Sequence, residues 1–477
     1  MELLPRNAAL LSLTLTILLP AALVLSHTQF APADNYLINC GSAVPTTLHH
    51  DNRLFLGDQV THSSFRLKSS RTSSLADPNF NPNLSPIYFS TRVFDSASTY
   101  RFSIKEKGTH IIRLHFNRRS EFVDRERPLF RVYAGGFLLI GHGVESSPST
   151  AIKEFFVPVN GDQLEIRFVP MKGSLAYVSA IEVISAPRDL IADAVKMVGT
   201  ALVGPIIGRP TRRALENVYR VNVGGPKVTP FNDSLWRTWL PDDGYLASKV
   251  DDSIKRVYSS GPIRYRTGGA SHEVGPDNMY NTARVITSEK RTSIPNLNIT
   301  WTFPVVEGYQ YLVRLHFCDI ASVALGLLHF NVYVNGNLAL ENLDLSRLTD
   351  ESLASPYYAD FLVNVCGSNA VSVSVGPSIM SRLHSVDAIL NGIEIMKMSN
   401  TMKSLGGDFG MDGNGSVTGS ICDSLLLVVV ICLLVLISMV IKRRLGTLKD
   451  SGVWARLSLG GSDAGVKYSN IPLADKI

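Results

Sequence analysis

Few residues in this chain of 477 stand at spacings that would let them do covalent chemistry. Ser271-His-Glu273 offers one histidine where a zinc-protease helix needs a second on the same face, one turn away. Aspartates and glutamates are scattered through turn-like stretches, so no pair can be named that would flank a glycosidic bond. No serine–histidine–aspartate spacing stands out. Asp408-Phe-Gly410 copies the metal-holding triplet of kinases without any of its partner motifs, and is read as coincidence. No catalytic residue, metal ligand or cofactor is therefore assigned. What remains is binding. Sugar rings stack on exposed aromatic faces beside carboxamide or carboxylate groups, and Trp236, Trp239, Tyr265 and Tyr280 are the candidates, with core packing as the competing role of each.

The elements that would hold such residues are written twice, about 200 residues apart. Ile111-Ile-Arg-Leu-His-Phe116 recurs as Leu312-Val-Arg-Leu-His-Phe317, and Phe130-Arg-Val-Tyr133 as Phe330-Asn-Val-Tyr333. Glu154-Phe-Phe-Val-Pro-Val159 matches Asp360-Phe-Leu-Val-Asn-Val365. The copies open alike, at Tyr36-Leu-Ile-Asn-Cys-Gly41 and Tyr219-Arg-Val-Asn-Val-Gly224, and close alike, at Ile181-Glu-Val183 and Ile393-Glu-Ile395. Collinear matches in this number mean two copies of one domain. His115 and His316 hold equivalent positions, which points to a shared structural role and away from a metal site.

Within each copy the apolar residues alternate, as in Val371-Ser-Val-Ser-Val375 and Leu164-Glu-Ile-Arg-Phe168, and Asn-Gly pairs stand where hairpins need a positive φ. The fold class is mainly β, with two tandem sandwiches over 33–186 and 214–398. The linker, 187–213, has helical composition over Arg188–Met197, and Arg209–Glu216 could form a short helix with Pro210 near its start. Its arginines could meet an anionic partner or be a solvated face. Cys318 and Cys366 both end strands of the second copy where the first has Asn117 and Asn160, so a bridge between them is expected, closing a 49-residue ring and contributing about 4 kcal/mol, two unrelated buried thiols being the other reading. Cys40 reads as a buried thiol.

Two apolar runs flank this mass. The first, after Arg6, ends in small residues and reads as a secretory signal over 1–26, an N-terminal anchor being the other reading. The second, Leu425–Ile441, carries no charge and is followed at once by Lys442, Arg443 and Arg444, so a single transmembrane helix is expected over 424–441 with the N-terminus extracellular. Residues 399–423, rich in glycine, read as a stalk, and 442–477 as a short cytoplasmic tail. The tail holds seven Lys or Arg and three Asp, most of the net charge of +5, so basicity is no argument for nucleic acid. Sequons at Asn83, Asn232, Asn298 and Asn414 all lie on the outer side, as candidate glycosylation sites.

Taken together, Asn35-Tyr-Leu-Ile-Asn-Cys-Gly-Ser42, Ala214-Leu-Glu-Asn-Val-Tyr-Arg-Val-Asn-Val-Gly-Gly-Pro226, Trp236-Arg-Thr-Trp-Leu-Pro-Asp242, Tyr311–Asp319 and Asn391–Ile395 resemble the ectodomains of plant malectin-like receptor kinases of the FERONIA and THESEUS type. The resemblance implies two packed malectin-like domains of jelly-roll, galactose-binding-like form. It also implies a plasma-membrane receptor that senses the cell wall and binds a secreted cysteine-rich peptide, with a lipid-anchored co-receptor or related receptor kinase as partner, and pectin as a further ligand. An intracellular kinase belongs to the family pattern. The 36 residues after the apolar run hold no glycine-rich loop, no Val-Ala-Ile-Lys and no His-Arg-Asp, so this chain is not expected to be an enzyme. Three readings are left: a receptor-like protein acting through others, a pectin-binding wall anchor, or a truncated receptor kinase.

Overall fold

The computed structural model describes residues 30–77, 81–118, 128–144, 150–193, 195–199, 207–208, 210–248, 251–266, 268–406, 434 and 436–440. The chain divides into two compact units, Met1–Val417 and Thr418–Ile477. Both sequence copies lie in the first.

The first copy runs β1 (Asn35–Asn39), β2 (Thr46–Leu48), β3 (Arg53–Gly57), β4 (Phe65–Lys68) and β5 (Thr72–Ala76). It continues with β6 (Ser90–Phe94), β7 (Ser98–Ser103), β8 (Gly108–Asn117), β9 (Phe130–Ala134) and β10 (Phe137–Ile140). It closes with β11 (Thr150–Val159), β12 (Gln163–Pro170), β13 (Ala176–Val178) and β14 (Ala180–Ser185). Between the copies lie β15 (Val195–Met197) and β16 (Ile207–Gly208). The second copy runs β17 (Leu215–Asn222), β18 (Leu240–Pro241), β19 (Ile254–Tyr258), β20 (Thr282–Thr287), β21 (Ile299–Pro304) and β22 (Gln310–Cys318). It ends with β23 (His329–Val334), β24 (Asn337–Asp344), β25 (Pro356–Asn364), β26 (Ala370–Pro377), β27 (Val386–Leu390) and β28 (Gly392–Met398).

Each copy is a sandwich, as alternation predicts. In the first, Ile112, Leu114 and Phe116 of β8 meet Tyr100 and Phe102 of β7 and Ile166 and Phe168 of β12 across one core. In the second, Val313, Leu315 and Phe317 of β22 meet Trp301, Phe303, Val373 and Val375. The two large sheets are one: strand order β16-β15-β25-β22-β28-β17-β11-β8-β14-β1-β3-β2 runs through both copies, joined where β11 pairs antiparallel with β17. Its other face is apolar too. Ile111, Phe156, Leu215, Leu312, Leu362 and Met398 share a second core with Leu190, Ile191 and Leu235.

The repeated Asn-x-Gly openings have a steric cause. Gly41 and Gly224 sit at φ +83° and +74°, and a Cβ there would lie 2.7 Å from the Thr91 carbonyl oxygen and 2.3 Å from that of Ala283. Their amides donate to Asp58 and Asp242, which Arg92 and Arg284 grip at 2.5 Å.

Three expectations are corrected. The linker is not helical over Arg188–Met197: Val195 is buried, and β15 pairs parallel with β25, so tertiary pairing overrides composition. Only a 3₁₀ turn, Pro210–Arg212, marks the second expected helix, and Leu215 and Glu216 already belong to β17. The stalk does not begin at Ser399. The Leu405 amide donates to the Leu138 carbonyl and the Leu138 amide to that of Lys403, with the Leu405 side chain buried in the first copy's core.

The third correction is the Cys318–Cys366 bridge. Cys318 is a free, buried thiol, and Cys366 is disulfide-bonded elsewhere, Cys40 being free as well. The register explains it. Cys318 pairs with Pro356 and Gln310 with Asn364, so the two cysteines stand at opposite ends of an antiparallel pair, about 27 Å apart along the strands. A disulfide needs Cα atoms within about 7 Å. Cys318 instead fills a cluster with Trp239, Met279 and Tyr280, where burial raises its thiol pKa far above the usual range.

The expected signal, tail and Asn414 lie outside the described residues, as does most of the expected membrane span. Residues 434 and 436–440 are helical and exposed. Among the described residues no helix is long and apolar enough to cross a membrane.

Candidate functional site

The Arg-Leu-His-Phe motif puts arginine and histidine on the strand face opposite the sandwich core, because side chains alternate. That face is covered by the second core, so the polar groups are buried and must satisfy one another. In both copies the histidine is flanked alike. The Tyr88 hydroxyl lies 3.2 Å from His115 Nδ1 and Glu182 2.8 Å from its Nε2; Tyr280 and Glu394 take the same places on His316, at 3.0 and 3.3 Å. Burial holds His316 below the usual imidazole pKa. Its shared role is structural.

The arginines differ. Arg314 is held bidentately by Asp360, at 2.7 Å on each oxygen, within its own copy. Arg113 donates to Glu154 at 2.6 Å, to Glu182 at 2.9 Å and to the Leu235 carbonyl, which belongs to the second copy, at 2.7 Å. Glu154 also accepts from Arg220 of the second copy at 2.7 Å, and Arg220 reaches Glu394 at 2.6 Å. One buried ladder, Asp51–Arg53–Glu182–Arg113–Glu154–Arg220–Glu394, thus crosses the joint. Despite burial, the guanidiniums beside Glu154 hold its carboxyl down at about 2, and Glu182 and Glu394 are lowered for the same reason.

Beside the first copy's buried end of the ladder there is a cleft of about 600 Å³, whose lining includes Asp51, Asn52, Phe231, Trp236, His272 and Asp277, drawn from both copies. Its wall is a tight turn: Asp233 Oδ1 accepts from the Leu235 and Arg237 amides, which leaves Trp236 at φ +55° with Leu235 driven into the core. A tryptophan in the left-handed region is uncommon and persists only where its surroundings enforce it. The Arg53 guanidinium lies 5.6 Å from the Trp236 ring. His272 stacks on Tyr265 with ring centres 3.6 Å apart, and Asp277 accepts from the Tyr265 hydroxyl at 2.7 Å.

Of the four candidate aromatics, Trp236 is half-buried on the cleft wall and Tyr265 lies behind His272. Trp239 and Tyr280 are fully buried, so neither can offer a ring face to a sugar. Trp239 Nε1 donates to Asp233, and its ring lies 5.6 Å from the Arg220 guanidinium. Asp51, Arg53 and Phe231 were not singled out from sequence, and Glu154 stood out only as part of a repeated strand. Asn83, Asn232 and Asn298 are all exposed. Among the described residues no group of acids, histidines and cysteines could hold a metal ion.

A family model, the Malectin-like domain, matches residues 38–398. This chain belongs to the malectin-like family. Its relatives are of the FERONIA/THESEUS type. Receptor-like protein kinase HERK 1 of Arabidopsis thaliana is 37% identical over 92% of this chain and 52% of its own length. THESEUS 1 of the same plant is 38% identical over 80% of this chain and 44% of its own. The chain therefore spans about half the length of these malectin-like relatives. Among solved structures, the ANX1 ectodomain from Arabidopsis thaliana matches with a TM-score of 0.68 and 25% identity, over 80% of this chain and all of that one. The receptor-like kinase FER, in its complex with the plant peptide RALF23 and LLG2, matches with a TM-score of 0.66 and 29% identity over the same shares.

Proposed function

We propose that this chain is a cell-surface receptor-like protein whose malectin-like pair binds a secreted cysteine-rich peptide and acts through partner receptors. The observation that carries this reading is its likeness to FER along the whole of that chain, in a complex that holds RALF23 and LLG2. The signal, the single span and the extracellular side of the pair belong to the same reading, and so do glycans on the exposed Asn83, Asn232 and Asn298. Calorimetric titration of the full chain with RALF23, with and without LLG2, tests it. Saturable binding tightened by LLG2 is expected. No binding under either condition would defeat it.

A second reading, binding of acidic pectin, draws on one surface. The first copy's sheet β10-β9-β12-β7-β4 carries Arg66, Lys68, Arg101, Arg131 and Arg167 and one acid, Glu165. Arg66 stands opposite Arg101, and Lys68 and Arg167 flank Thr99. Alternation puts all five on the solvent side. Carboxylates of a polyuronate would find charge-assisted donors there, so binding of oligogalacturonides should weaken steeply with salt and on replacing Arg66 and Arg167 with glutamate. Binding indifferent to both would remove this reading.

A further inference from the structure

The charges of the ladder do not balance. Arg53, Arg113 and Arg220 face Asp51, Glu182, Glu154 and Glu394, all buried. The adjoining Arg237–Asp233 and Arg314–Asp360 pairs are one to one and leave the excess unchanged. On His316 the Tyr280 hydroxyl stands on one ring nitrogen and Glu394 on the other, as suits a neutral imidazole that accepts from the phenol and donates to the carboxylate, and Tyr88 and Glu182 take the same places on His115. Arginines counted against acids leave one negative charge over, and a buried charge without a partner is costly.

The excess has a place. Asp51 Oδ2 takes both bonds from Arg53, at 2.9 and 2.8 Å, and the exposed His50 stands 3.6 Å from that same oxygen. Asp51 Oδ1 is buried and has no partner, and the residue lines the cleft between the copies. Across the cleft Asp277 is half exposed, a second carboxylate within the same lining. Trp236 and the 70% exposed Phe231 supply aromatic rings beside these acids. Acids joined to open aromatic rings are the surroundings that hold an ammonium or guanidinium group, by ion pairing and by cation–π attraction.

We propose that this cleft seats a lysine or arginine side chain of the peptide ligand, paired with Asp51 and Asp277 and lying against Trp236. The assignment rests on the peptide-binding reading above and adds the site and the chemistry of the recognised group. A neutral sugar would satisfy Asp51 Oδ1 with a hydroxyl but would leave the excess charge uncompensated.

The test uses the full chain and two probes. By saturation-transfer NMR, L-arginine amide should give a signal with wild type and norvaline amide none. Asp51→Asn and, separately, Asp277→Asn should reduce that signal, with Asp277→Asn as the variant at a half-exposed site that leaves the ladder intact. In calorimetry, Asp51→Asn should weaken RALF23 binding about ten-fold or more, with a near-ultraviolet circular dichroism spectrum like wild type. RALF23 binding that neither variant changes would overturn the cleft assignment and leave the peptide reading standing. An arginine-amide signal sensitive to Asp51→Asn without RALF23 binding would keep the cation site and defeat the peptide reading. A galactose-oligosaccharide signal lost on Asp51→Asn, with none from arginine amide, would make the cleft a sugar site and overturn the proposal.

Discussion

Two strands with nearly the same sequence, β8 and β22, use their arginine for different ends. In β22 the neighbour is β25, and Asp360 on it neutralises Arg314 inside the second copy. In β8 the neighbour is β11, whose equivalent acid, Glu154, is shared with Arg220 of the other copy. The difference follows from what lies beyond each neighbour. The outer edge of β25 is covered by the linker strand β15, and that of β11 by the first strand of the second copy. A duplicated domain has thus made its joint from a contact that each copy already had. The sheets on the far side diverged the other way: β21, β26, β23 and β24 hold no lysine or arginine, against five in the first copy.

The largest effect that would break this comparison is expected at the joint. Glu154→Ala leaves Arg113 and Arg220 sharing fewer acids in a buried site, and should cost about 3–5 kcal/mol in chemical denaturation. Asp360→Ala should cost as much, since Arg314 then loses both of its carboxylate hydrogen bonds and keeps the Tyr358 ring beneath it at 4.5 Å and the charge of Glu394. Only the Glu154 variant should also separate the unfolding of the copies; if both behave alike, the joint is not special.

Acid should reach the copies through the lowered glutamates. Glu154 is lowered to about 2 from an ordinary 4.5, so its contribution is whole above about 4.5 and lost as the pH falls through about 2. Glu154→Gln should flatten the stability profile there. In the second copy Asp387 behaves oppositely. Burial pushes it up to about 6, so stability is greatest below about 3.8 and falls as the pH rises through 6. Asp387→Asn should remove that slope and stabilise the protein at pH 7 by about 1–2 kcal/mol, read from denaturation midpoints. An unchanged slope would mean that Asp387 is better solvated than its complete burial implies.

Smaller effects sharpen the picture. Cys318 should resist alkylation in the native protein and react without reductant once unfolded. Its recovery in a disulfide-linked peptide would contradict the strand register. Arg66→Glu with Arg167→Glu should change stability by no more than about 0.5 kcal/mol, because both are solvent-facing, while abolishing any oligogalacturonide binding.

The duplicated sandwich was legible because alternation and collinear repeats survive without context. The ladder was half legible. Arginine and histidine two apart on an alternating strand must share the face away from the core, and Glu182 and Glu394 recur at matching places. Nothing in the sequence says that this face is covered, and so the charges could not be called buried. The cysteine pairing failed for a definable reason. Cys318 ends β22 and Cys366 follows the end of β25 by two residues, but antiparallel neighbours put such ends at opposite edges. Trp236 and Trp239, three apart in one short segment, met opposite fates: the turn set by Asp233 faces one to the cleft and buries the other. The pairing of β11 with β17, which builds the cleft, is long-range and left no local mark.

The shared ladder requires the two copies to be one body. Equilibrium unfolding of the full chain, followed together by tryptophan fluorescence and by far-ultraviolet circular dichroism, tests that directly. Of the four tryptophans, Trp236, Trp239 and Trp301 belong to the second copy and Trp454 to neither, whereas both copies contribute strands. Coincident single transitions are predicted. A fluorescence transition separated from the loss of strand signal would show that the second copy unfolds on its own, and would contradict the joint described here.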